Sequence, residues 1–545
     1  MKPALLLRAG LALALAVLLA SCAAVTAAPR PKLVVLFVID GLPQRQVTAY
    51  RDQLAPDGFA RFLDRGAWFE QAHYGYAFTV TAAGHATVLT GAYPHRTGVI
   101  GNEWLDIATG KAMYCTGDPS ATYIGHPTEA LDGTSPRNLK VETLGDVLKR
   151  ADPRSKVISV SGKDRGAILP AGKTGTAYMY MSGDGQFAST TYYMREHPAW
   201  VDAFNAARPA DRWFRTQWEP LLPADAYARS LPDDQPWYGP RGGHLPMALG
   251  NAADAKPGPA FYASLLRSPF ADALTLDFAR AAIAGERLGA DDAPDILAIS
   301  LSGHDYVNHQ WSAESRLSHD HFLQLDRLLQ AFFADLDRTV GRDNYVAVLT
   351  ADHGFMPAPE LSQARGQAAG RIVGSQLLAA VNGALEQRFH VSKLAAGMSA
   401  SALVLDRKTI AARGLEFDTV ASAARDALIA QPGLAAAYTR RELQEGSQPR
   451  APFFAQMRNT WHPDVSGDVQ YVTKPFWMFG SSVATHGSPY EYDTHVPILL
   501  WGPSWVQPGA RGARVETADI APTLARLLRV PAPPASEGRP LPLLR

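Results

Sequence analysis

The chain has little cysteine and no net charge. Its 545 residues include only two cysteines, Cys22 and Cys115, and its 52 Lys and Arg balance 52 Asp and Glu. Two thiols cannot build a disulfide framework, so the fold must be stabilised by packing. Without a basic excess the chain has no global field for holding nucleic acid, and we predict no nucleic acid partner.

Long apolar runs and repeats are also missing from most of the chain. Beyond the first 30 residues no stretch of 18 apolar residues occurs, and we find no internal repeat, heptad pattern or low-complexity tract. What is present is typical of a folded globular protein, with 47% hydrophobic, 9% aromatic and 19% charged residues. The length allows several domains or one large core with insertions.

Residues 1–28 have the features of a secretory signal peptide. Lys2 and Arg8 precede an uncharged apolar run that is too short to span a bilayer comfortably. Ser21-Cys22 follows that run directly and resembles a bacterial lipoprotein site, at which Cys22 would carry a lipid anchor. Cleavage near Ala28 is the alternative and would release the protein. We therefore predict export to the periplasm, with lipid anchoring at Cys22 as one of its two forms.

The remaining chain alternates short apolar runs with helical patterns. Runs rich in Val, Ile and Leu, without polar alternation, suit strands that are buried on both faces. The predicted strands are Leu33 to Ile39, Lys156 to Val160, Ile296 to Leu301, Tyr345 to Leu349 and Val496 to Trp501. Helical patterns lie between them, including Leu139 to Leu148 and His321 to Leu336. This order predicts an α/β fold with a doubly wound, mainly parallel sheet flanked by helices.

Two stretches break the alternation, at about 190–272 and 366–477. The first is rich in Pro, Trp and Asp, and the second has helical and strand patterns of its own. We interpret both as insertions that cap a single catalytic domain at 31–545.

Acidic residues and histidines follow three of the predicted strands. Asp40 ends the first strand, Asp305 and His309 follow the third, and Asp352-His353 follow the fourth. In open α/β sheets ligands bind beyond the carboxyl ends of the strands, so these side chains should converge. Converging carboxylates need a cation, and mixed carboxylate and imidazole ligands suit zinc or a similar transition metal. Singly, such residues are often helix caps or solvated polar faces, but their joint occurrence favours a metal site.

A threonine-rich segment precedes a short predicted helix and offers a nucleophile. Thr79 and Thr81 lie at its start, where the backbone dipole and a nearby metal would favour an alkoxide. From these residues alone, capping of the helix is the alternative role.

Taken together and in order, the motifs resemble the alkaline phosphatase superfamily. The branch is that of secreted, Thr-dependent bacterial alkaline phosphatases, which are related to the nucleotide pyrophosphatase/phosphodiesterases. The motifs that carry the resemblance are Asp40, Thr81 with His85 and Leu89-Thr90-Gly91, Pro94 and Gly98 leading to Asn102, Asp305 with His309, Asp352-His353-Gly354, and Thr485-His486-Gly487-Ser488. The turn after Thr81 departs from the family, which often has Pro where this chain has Ala82-Ala83.

The resemblance implies two zinc ions and a covalent mechanism. Asp305, His309 and His486 would hold one ion. The other would be held by Asp40, Asp352 and His353, with Thr81 as its remaining ligand and as the nucleophile. Thr81 is preferred over Thr79 because its spacing to His85 and Asn102 matches the family, and His85 is given a structural role. Asn102 would contact the non-bridging oxygens of the substrate.

Lys163 and Arg165 suggest which ester is hydrolysed. They follow a predicted strand, and the monoesterase branch that this chain resembles has a Lys-x-Arg pair here, which the diesterase branch lacks. A monoester carries close to two negative charges, which a Lys point charge and an Arg fork can match. The predicted function is hydrolysis of small phosphate monoesters through a phosphothreonine on Thr81, by a protein that the family suggests is a monomer. The alternatives are a zinc phosphodiesterase or nucleotide pyrophosphatase, and a non-catalytic zinc- or phosphate-binding lipoprotein.

Overall fold

The computed structural model describes residues 29–240 and 242–543. The predicted signal peptide and Cys22 lie outside these residues. Within the described part of the chain, no helix is long and apolar enough to cross a membrane. The chain divides into a unit of residues 1–30 and a second unit of residues 31–545, to which all of the following refers.

Nineteen strands and nineteen α-helices can be named in the described residues. The strands are β1 (Leu33–Ile39), β2 (Ala67–His73), β3 (Glu103–Leu105), β4 (Ala112–Tyr114), β5 (Val157–Ser161), β6 (Thr176–Met181), β7 (Gln186–Ala188), β8 (Gln217–Trp218), β9 (Met247–Ala248), β10 (Asp295–Leu301), β11 (Tyr345–Thr350), β12 (Gly370–Ile372), β13 (Ala395–Ser399), β14 (Ala402–Leu405), β15 (Leu434–Thr439), β16 (Val469–Thr473), β17 (Trp477–Phe479), β18 (Ile498–Trp501) and β19 (Gly509–Glu516). The helices are α1 (Gln44–Ala49), α2 (Phe59–Arg65), α3 (Thr81–Thr90), α4 (Pro94–Thr97), α5 (Leu144–Ala151), α6 (Asp164–Ala171), α7 (Ala199–Ala206), α8 (Pro259–Leu265), α9 (Pro269–Glu286), α10 (Gly303–Trp311), α11 (Arg316–Leu336), α12 (Pro359–Ala364), α13 (Gly374–Phe389), α14 (Arg407–Ala412), α15 (Phe417–Ile429), α16 (Arg440–Glu445), α17 (Phe454–Thr460), α18 (Glu491–Thr494) and α19 (Ile520–Leu528).

A nine-stranded sheet forms the centre, in the order β19-β2-β18-β11-β1-β10-β5-β6-β7. Its middle strands, from β11 to β6, pair in parallel, which confirms the predicted fold class. The fifth predicted strand, β18, runs antiparallel to both of its neighbours. Short apolar runs of either direction look alike in sequence, because strand direction depends on the path of the chain between strands.

Strand β1 shows why the apolar runs form this sheet. All seven of its residues are buried. Leu33, Val35, Phe37 and Ile39 belong to the hydrophobic cluster on one face, and the intervening valines and leucine belong to the cluster on the other. Because side chains alternate along a strand, a strand between two helical layers must be apolar at every position. Each such side chain stabilises the fold by about 1.5–3 kcal/mol.

The helix predicted at Leu139 to Leu148 begins later, at Leu144. The Thr143 side chain accepts a hydrogen bond from the Asp146 backbone N–H, and Asp146 accepts one from Thr143 in return. This capping box satisfies the free N–H groups at the start of α5 and fixes its first residue.

Residues 370–479, called the cap below, contain a second sheet within the predicted insertion at about 366–477. Its four antiparallel strands have the order β13-β14-β16-β15, and helices α13 and α15 pack on them around a separate hydrophobic cluster. The stretch at about 190–272 holds α7, α8 and the two-stranded β8–β9 sheet. The roles of both stretches as insertions stay predictions.

The strand register brings the predicted ligands to one edge. β1 pairs with β10 on one side and with β11 on the other, and Ile39 lies opposite Leu301. Asp40 follows β1 directly, while Asp305 and Asp352 come shortly after β10 and β11. The three carboxylates therefore leave three adjacent parallel strands at the same end.

Candidate metal centre

The predicted acidic residues and histidines converge in two overlapping groups. Ligand atoms of Asp40, Asp352 and His353 all lie within 4.8 Å of one another, and so do those of Asp305, His353 and His486. The three carboxylates are buried, with at most 2% of each residue exposed. Buried carboxylates this close repel one another unless a cation balances their charge.

His309 lies next to Asp305 of the second group, and His353 lies between both groups. The Nε2 atom of His309 is 3.4 Å from Asp305 Oδ1, as expected of residues four apart on helix α10. The Nε2 atom of His353 is 3.5 Å from Asp40 Oδ1 and 3.9 Å from Asp305 Oδ1. Its ring also stacks on that of His486. The resemblance implied His353 for the Asp40 group alone, whereas the geometry brings it within reach of both groups.

Backbone carbonyls hold the three imidazoles in one orientation. The Nδ1–H groups of His309, His353 and His486 lie 2.9–3.0 Å from the carbonyl oxygens of Ala484, Gly354 and Thr79, respectively. With Nδ1 donating, each Nε2 is left with a free lone pair, which is the form that binds a metal. Burial is the main cause that lowers the pKa of His353 and His486, and it keeps both rings neutral.

Several buried atoms in this cluster have no hydrogen-bond partner in the described part of the chain. They include Asp40 Oδ1, Asp305 Oδ1, Asp352 Oδ2 and His353 Nε2. An orphaned polar atom in a protein interior is costly, and several that face one another form a set of donors that a bound cation would satisfy. Carboxylate oxygens together with neutral imidazoles fit zinc or a similar transition metal.

Lys163 lies within this cluster. Its Nζ is 2.6 Å from Asp40 Oδ2 and 2.5 Å from Asp305 Oδ2, so it bridges the two groups of ligands. Burial by itself would lower the pKa of Lys163, but the charges of Asp305 and Asp40 outweigh it and hold this pKa above its ordinary value. Burial, followed by the charges of Asp305 and Asp352, raises the pKa of Asp40 well above its ordinary value. The ammonium therefore supplies part of the positive charge that the carboxylates need.

The two candidate nucleophiles differ in what their hydroxyls contact. Thr79 is fully buried, and its hydroxyl donates to the carbonyl of Ser488 at 2.9 Å. Thr81 is the first residue of α3, and its hydroxyl makes no hydrogen bond to the described residues. The Thr79 hydroxyl is thus used in an internal hydrogen bond, while the Thr81 hydroxyl at the helix N-terminus is available for another partner.

Helix α3 is held against the Asp352 strand end by a histidine and a glycine. His85 Nδ1 lies 2.9 Å from the carbonyl oxygen of Thr81 and 3.3 Å from Asp352 Oδ2, and its Nε2 is 2.8 Å from the hydroxyl of Ser300. A Cβ at Gly84 would lie 2.1 Å from the carbonyl oxygen of Asp352. Both contacts place the Thr81 end of the helix beside the Asp40 group.

Asn102 and Arg165 are held beside the cluster by contacts that sequence reasoning missed. Asn102 Oδ1 accepts from the backbone N–H of Ala82 at 2.9 Å, which leaves its amide N–H₂ free. Arg165 Nη1 donates to the hydroxyl of Tyr114 at 3.1 Å, and that hydroxyl donates to Asp164 at 2.6 Å. No local signal marks Tyr114, because β4 and α6 are brought together only by the fold.

Comparison with known proteins gives three kinds of match. Residues 34–494 match the family described as type I phosphodiesterase / nucleotide pyrophosphatase. The chain is 34% identical over 520 residues to alkaline phosphatase PafA of Elizabethkingia meningoseptica, covering 94% of each chain. It is 34% identical over 522 residues to alkaline phosphatase PhoV of Synechococcus elongatus, covering 94% of this chain and 92% of that one.

Solved structures agree with these matches. The crystal structure of wild-type PafA matches with a TM-score of 0.87 at 33% identity, over 95% of this chain and 100% of that one. Murine ectonucleotide pyrophosphatase / phosphodiesterase 5 matches with a TM-score of 0.51 at 13% identity, over 92% of this chain and 95% of that one, and so shares the fold alone.

Proposed function

Because the chain belongs to the type I phosphodiesterase / nucleotide pyrophosphatase family, we propose that it is an exported, zinc-dependent alkaline phosphatase that acts through Thr81. The predicted family and the predicted phosphoric monoester hydrolase are confirmed by the curated relatives. The metal, its number, the nucleophile and the roles of the site residues are our proposals. The observation that supports them most is the pair of ligand groups, in which several buried carboxylate and imidazole atoms have no hydrogen-bond partner among the described residues.

Two zinc ions fit the donors that are present. Asp40, Asp352 and His353, with Thr81, would hold one ion, and Asp305, His309 and His486 would hold the other. When bound, zinc would lower the pKa of a coordinated hydroxyl or water and balance negative charge that develops on oxygen. The position of His353 between the groups makes it the residue that both sites would share or compete for.

Residues of the chain would have separate roles in a two-step displacement. Thr81 Oγ1 attacks phosphorus, the bond from phosphorus to the ester oxygen breaks, and the alcohol leaves with a proton. Water then attacks the phosphothreonine, releasing inorganic phosphate and restoring the Thr81 hydroxyl. Asn102, Lys163 and Arg165 would hold the non-bridging oxygens, and removing one such donor typically costs about a hundred- to a thousandfold in rate.

Charge at the site favours monoesters over the diesters of the rival function. Lys163 contacts Asp305 of the cluster, and Arg165, two residues further on, would supply a second positive charge beside it. A monoester dianion can use both, whereas a diester has one charge and a second ester group to accommodate. In a solved variant of PafA, a Thr, an Asn, a Lys and an Arg have been replaced. They are the same four residue types, in the same chain order, as Thr81, Asn102, Lys163 and Arg165.

The remaining parts of the proposal rest on the sequence alone. Export to the periplasm, and a lipid anchor at Cys22 in one of the two forms, depend on residues 1–28. Small phosphate monoesters are the proposed substrates, and the protein is proposed to act as a monomer.

Purified mature protein should hydrolyse a chromogenic phosphomonoester faster than the corresponding bis-ester, lose activity in chelator and regain it with zinc. Thr81→Ala should abolish turnover and the phosphothreonine that is trapped in acid and detected by mass spectrometry. Thr79→Val is the matched control, because it removes a hydroxyl that contacts only a backbone carbonyl. Faster cleavage of the bis-ester would favour the phosphodiesterase alternative. Absent or chelator-insensitive cleavage of both esters would reject the enzyme as proposed.

A further inference from the structure

A cavity of about 470 Å³ lies between the metal centre and the cap. On the catalytic side its lining includes Asn102, His309 and His486. Asp40, Asp352 and Thr81 do not line it. The cavity therefore opens beside the Asp305 group, and Val80, which precedes Thr81, also lines it. A phosphate ester held at the centre would have this space for the group bonded to its ester oxygen.

The cap side of this cavity carries aromatic and apolar side chains together with the hydroxyl groups of Ser399, Ser401 and Thr473. Its lining includes Met398, Tyr471, Trp477 and Phe479, and the Tyr471 and Phe479 rings lie 5.7 Å apart. No residue that the cap contributes to the lining carries a charge. A wall of this kind offers dispersion and ring contacts to a flat apolar group and nothing to balance a charged one.

The cap hairpin is fixed relative to Asn102. Ala400 and Ser401, at the turn between β13 and β14, both have the left-handed backbone conformation, with φ of 49° and 57°. The Ser401 hydroxyl donates to the carbonyl of Tyr471 at 2.7 Å. A Cβ at Gly101, the neighbour of Asn102, would lie 3.1 Å from the Ala400 side chain. Non-glycine residues adopt this strained turn only where the surroundings hold it, so the wall is preformed.

The Trp477 ring is also fixed in place, by close packing against two glycines. A Cβ at Gly433 would lie 2.5 Å from its ring, and one at Gly370 would lie 2.8 Å from it. The ring thus packs against two glycine backbones, which keeps it in place along the cavity. Little reorganisation is needed for a ligand to use this surface, and a preformed surface costs less entropy on binding.

We propose that this cavity binds the leaving group and selects phosphate monoesters whose alcohol is a planar aromatic group. The proposal rests on the proposed phosphatase function, since it assigns the part of the substrate that Thr81 displaces. Phe479 and Met398 are the specificity-determining residues, because they line the cavity without being ligands or phosphate contacts. Small alkyl groups would be too small to contact the aromatic side chains of the cavity, so their monoesters would gain no binding energy from them.

The test measures binding without turnover. Phenylphosphonate and methylphosphonate carry the same charged head group, are not hydrolysed, and differ in the ring. Titration calorimetry on zinc-loaded protein should give phenylphosphonate an affinity about tenfold higher than that of methylphosphonate. Phe479→Ala and, as a smaller change, Met398→Gln should reduce that ratio to about threefold or less while leaving the affinity for inorganic phosphate unchanged.

Phe389→Ala is the matched control. Phe389 is a partly buried phenylalanine that packs on the same cap cluster as Phe479 but does not line the cavity. It should leave the phenyl to methyl ratio at its wild-type value. A wild-type ratio near one, or a ratio that both lining variants leave unchanged in folded protein, would overturn the proposal. Failure of the phosphatase function itself would appear separately, as absence of monoester hydrolysis.

Discussion

Replacement of Lys163 by Met should separate the stability of the metal-free protein from its activity. The Lys163 side chain is 3% exposed, and its ammonium lies within 2.6 Å of carboxylate oxygens of both Asp40 and Asp305. Methionine keeps much of the length of the side chain but removes the charge. In metal-free protein the substitution therefore leaves two buried carboxylates facing each other without their nearest cation.

The size of the effect follows from this burial. Breaking a buried ion pair by removing one partner costs about 3–5 kcal/mol, because the other charge stays in the protein without compensation. For a unit of about 515 residues, the entropy of unfolding is about 1.1 kcal/mol per degree, so each kcal/mol lowers the melting temperature by about 1 °C. We expect Lys163→Met to melt about 3–5 °C below wild type in chelator.

Saturating zinc should remove most of this difference, because Asp40 and Asp305 would then be balanced by ligated cations. The difference should fall to about 1 °C or less, while the rate of monoester hydrolysis stays about a hundred- to a thousandfold below that of wild type. Calorimetric melting of both proteins, with chelator and with zinc, measures the first quantity, and an assay with a chromogenic monoester measures the second.

Lys149→Met serves as the control for a lost lysine. Its Nζ donates to the carbonyl of Thr174 at the surface, so the change should alter neither melting temperature nor activity appreciably. If Lys163→Met and wild type had the same melting temperature in chelator, the claim that Lys163 balances the charges of Asp40 and Asp305 would be refuted. A deficit that zinc leaves unchanged would show that Asp40 and Asp305 do not bind the metal.

Two further predictions concern residues next to the centre. Burial raises the pKa of Asp272 to about 7, so ionisation of this buried group lowers the stability of the fold as the pH rises from about 4 to 7. Asp272→Asn should therefore gain about 3 kcal/mol of unfolding free energy over wild type between pH 4.5 and pH 8, and urea unfolding that gives the same difference between the two proteins at both pH values would contradict this. Gly84→Ala should lose about 1–3 kcal/mol of unfolding free energy and most metal affinity, because its Cβ would lie 2.1 Å from the carbonyl oxygen of Asp352. Gly383→Ala is the control, because Gly383 lies in a helix and nothing is within 4 Å of the new Cβ, so the change should be neutral or slightly stabilising. Equal effects of the two substitutions on the unfolding free energy would show that the close approach of Gly84 to Asp352 is not the cause.

Much of the fold could be predicted because its signals are local. Strand β1 was predicted at its observed bounds, Leu33–Ile39, and helix α11 from its apolar spacing, although it begins earlier, at Arg316. The antiparallel direction of β18 could not be predicted, since pairing direction depends on distant strands. Helix α5 begins later than its apolar spacing predicts, because the exchange of hydrogen bonds between Thr143 and Asp146 sets its first residue.

The candidate site divides in the same way. Its residues were recognisable from strand ends and from motif order, and the structure brings Asp40, Asp305, Asp352, His353 and His486 together. Their roles as ligands stay predictions. The two neighbouring threonines could not be distinguished by chemistry in sequence, and only the fold engages the hydroxyl of Thr79 with Ser488 while leaving that of Thr81 free.

Local sequence patterns are enough to identify the buried strands and the side chains at their carboxyl ends, because hydrophobic period and residue type are properties of short segments. The folded chain adds three features: His353 faces both groups, Lys163 bridges Asp40 and Asp305, and aromatic side chains of the cap line a cavity beside the centre. Each of these depends on contacts between residues that are distant in sequence, 48 positions apart for His353 and Asp305 and 142 for Lys163 and Asp305. Such contacts are set by strand order and by the packing of whole elements, and no local pattern encodes them.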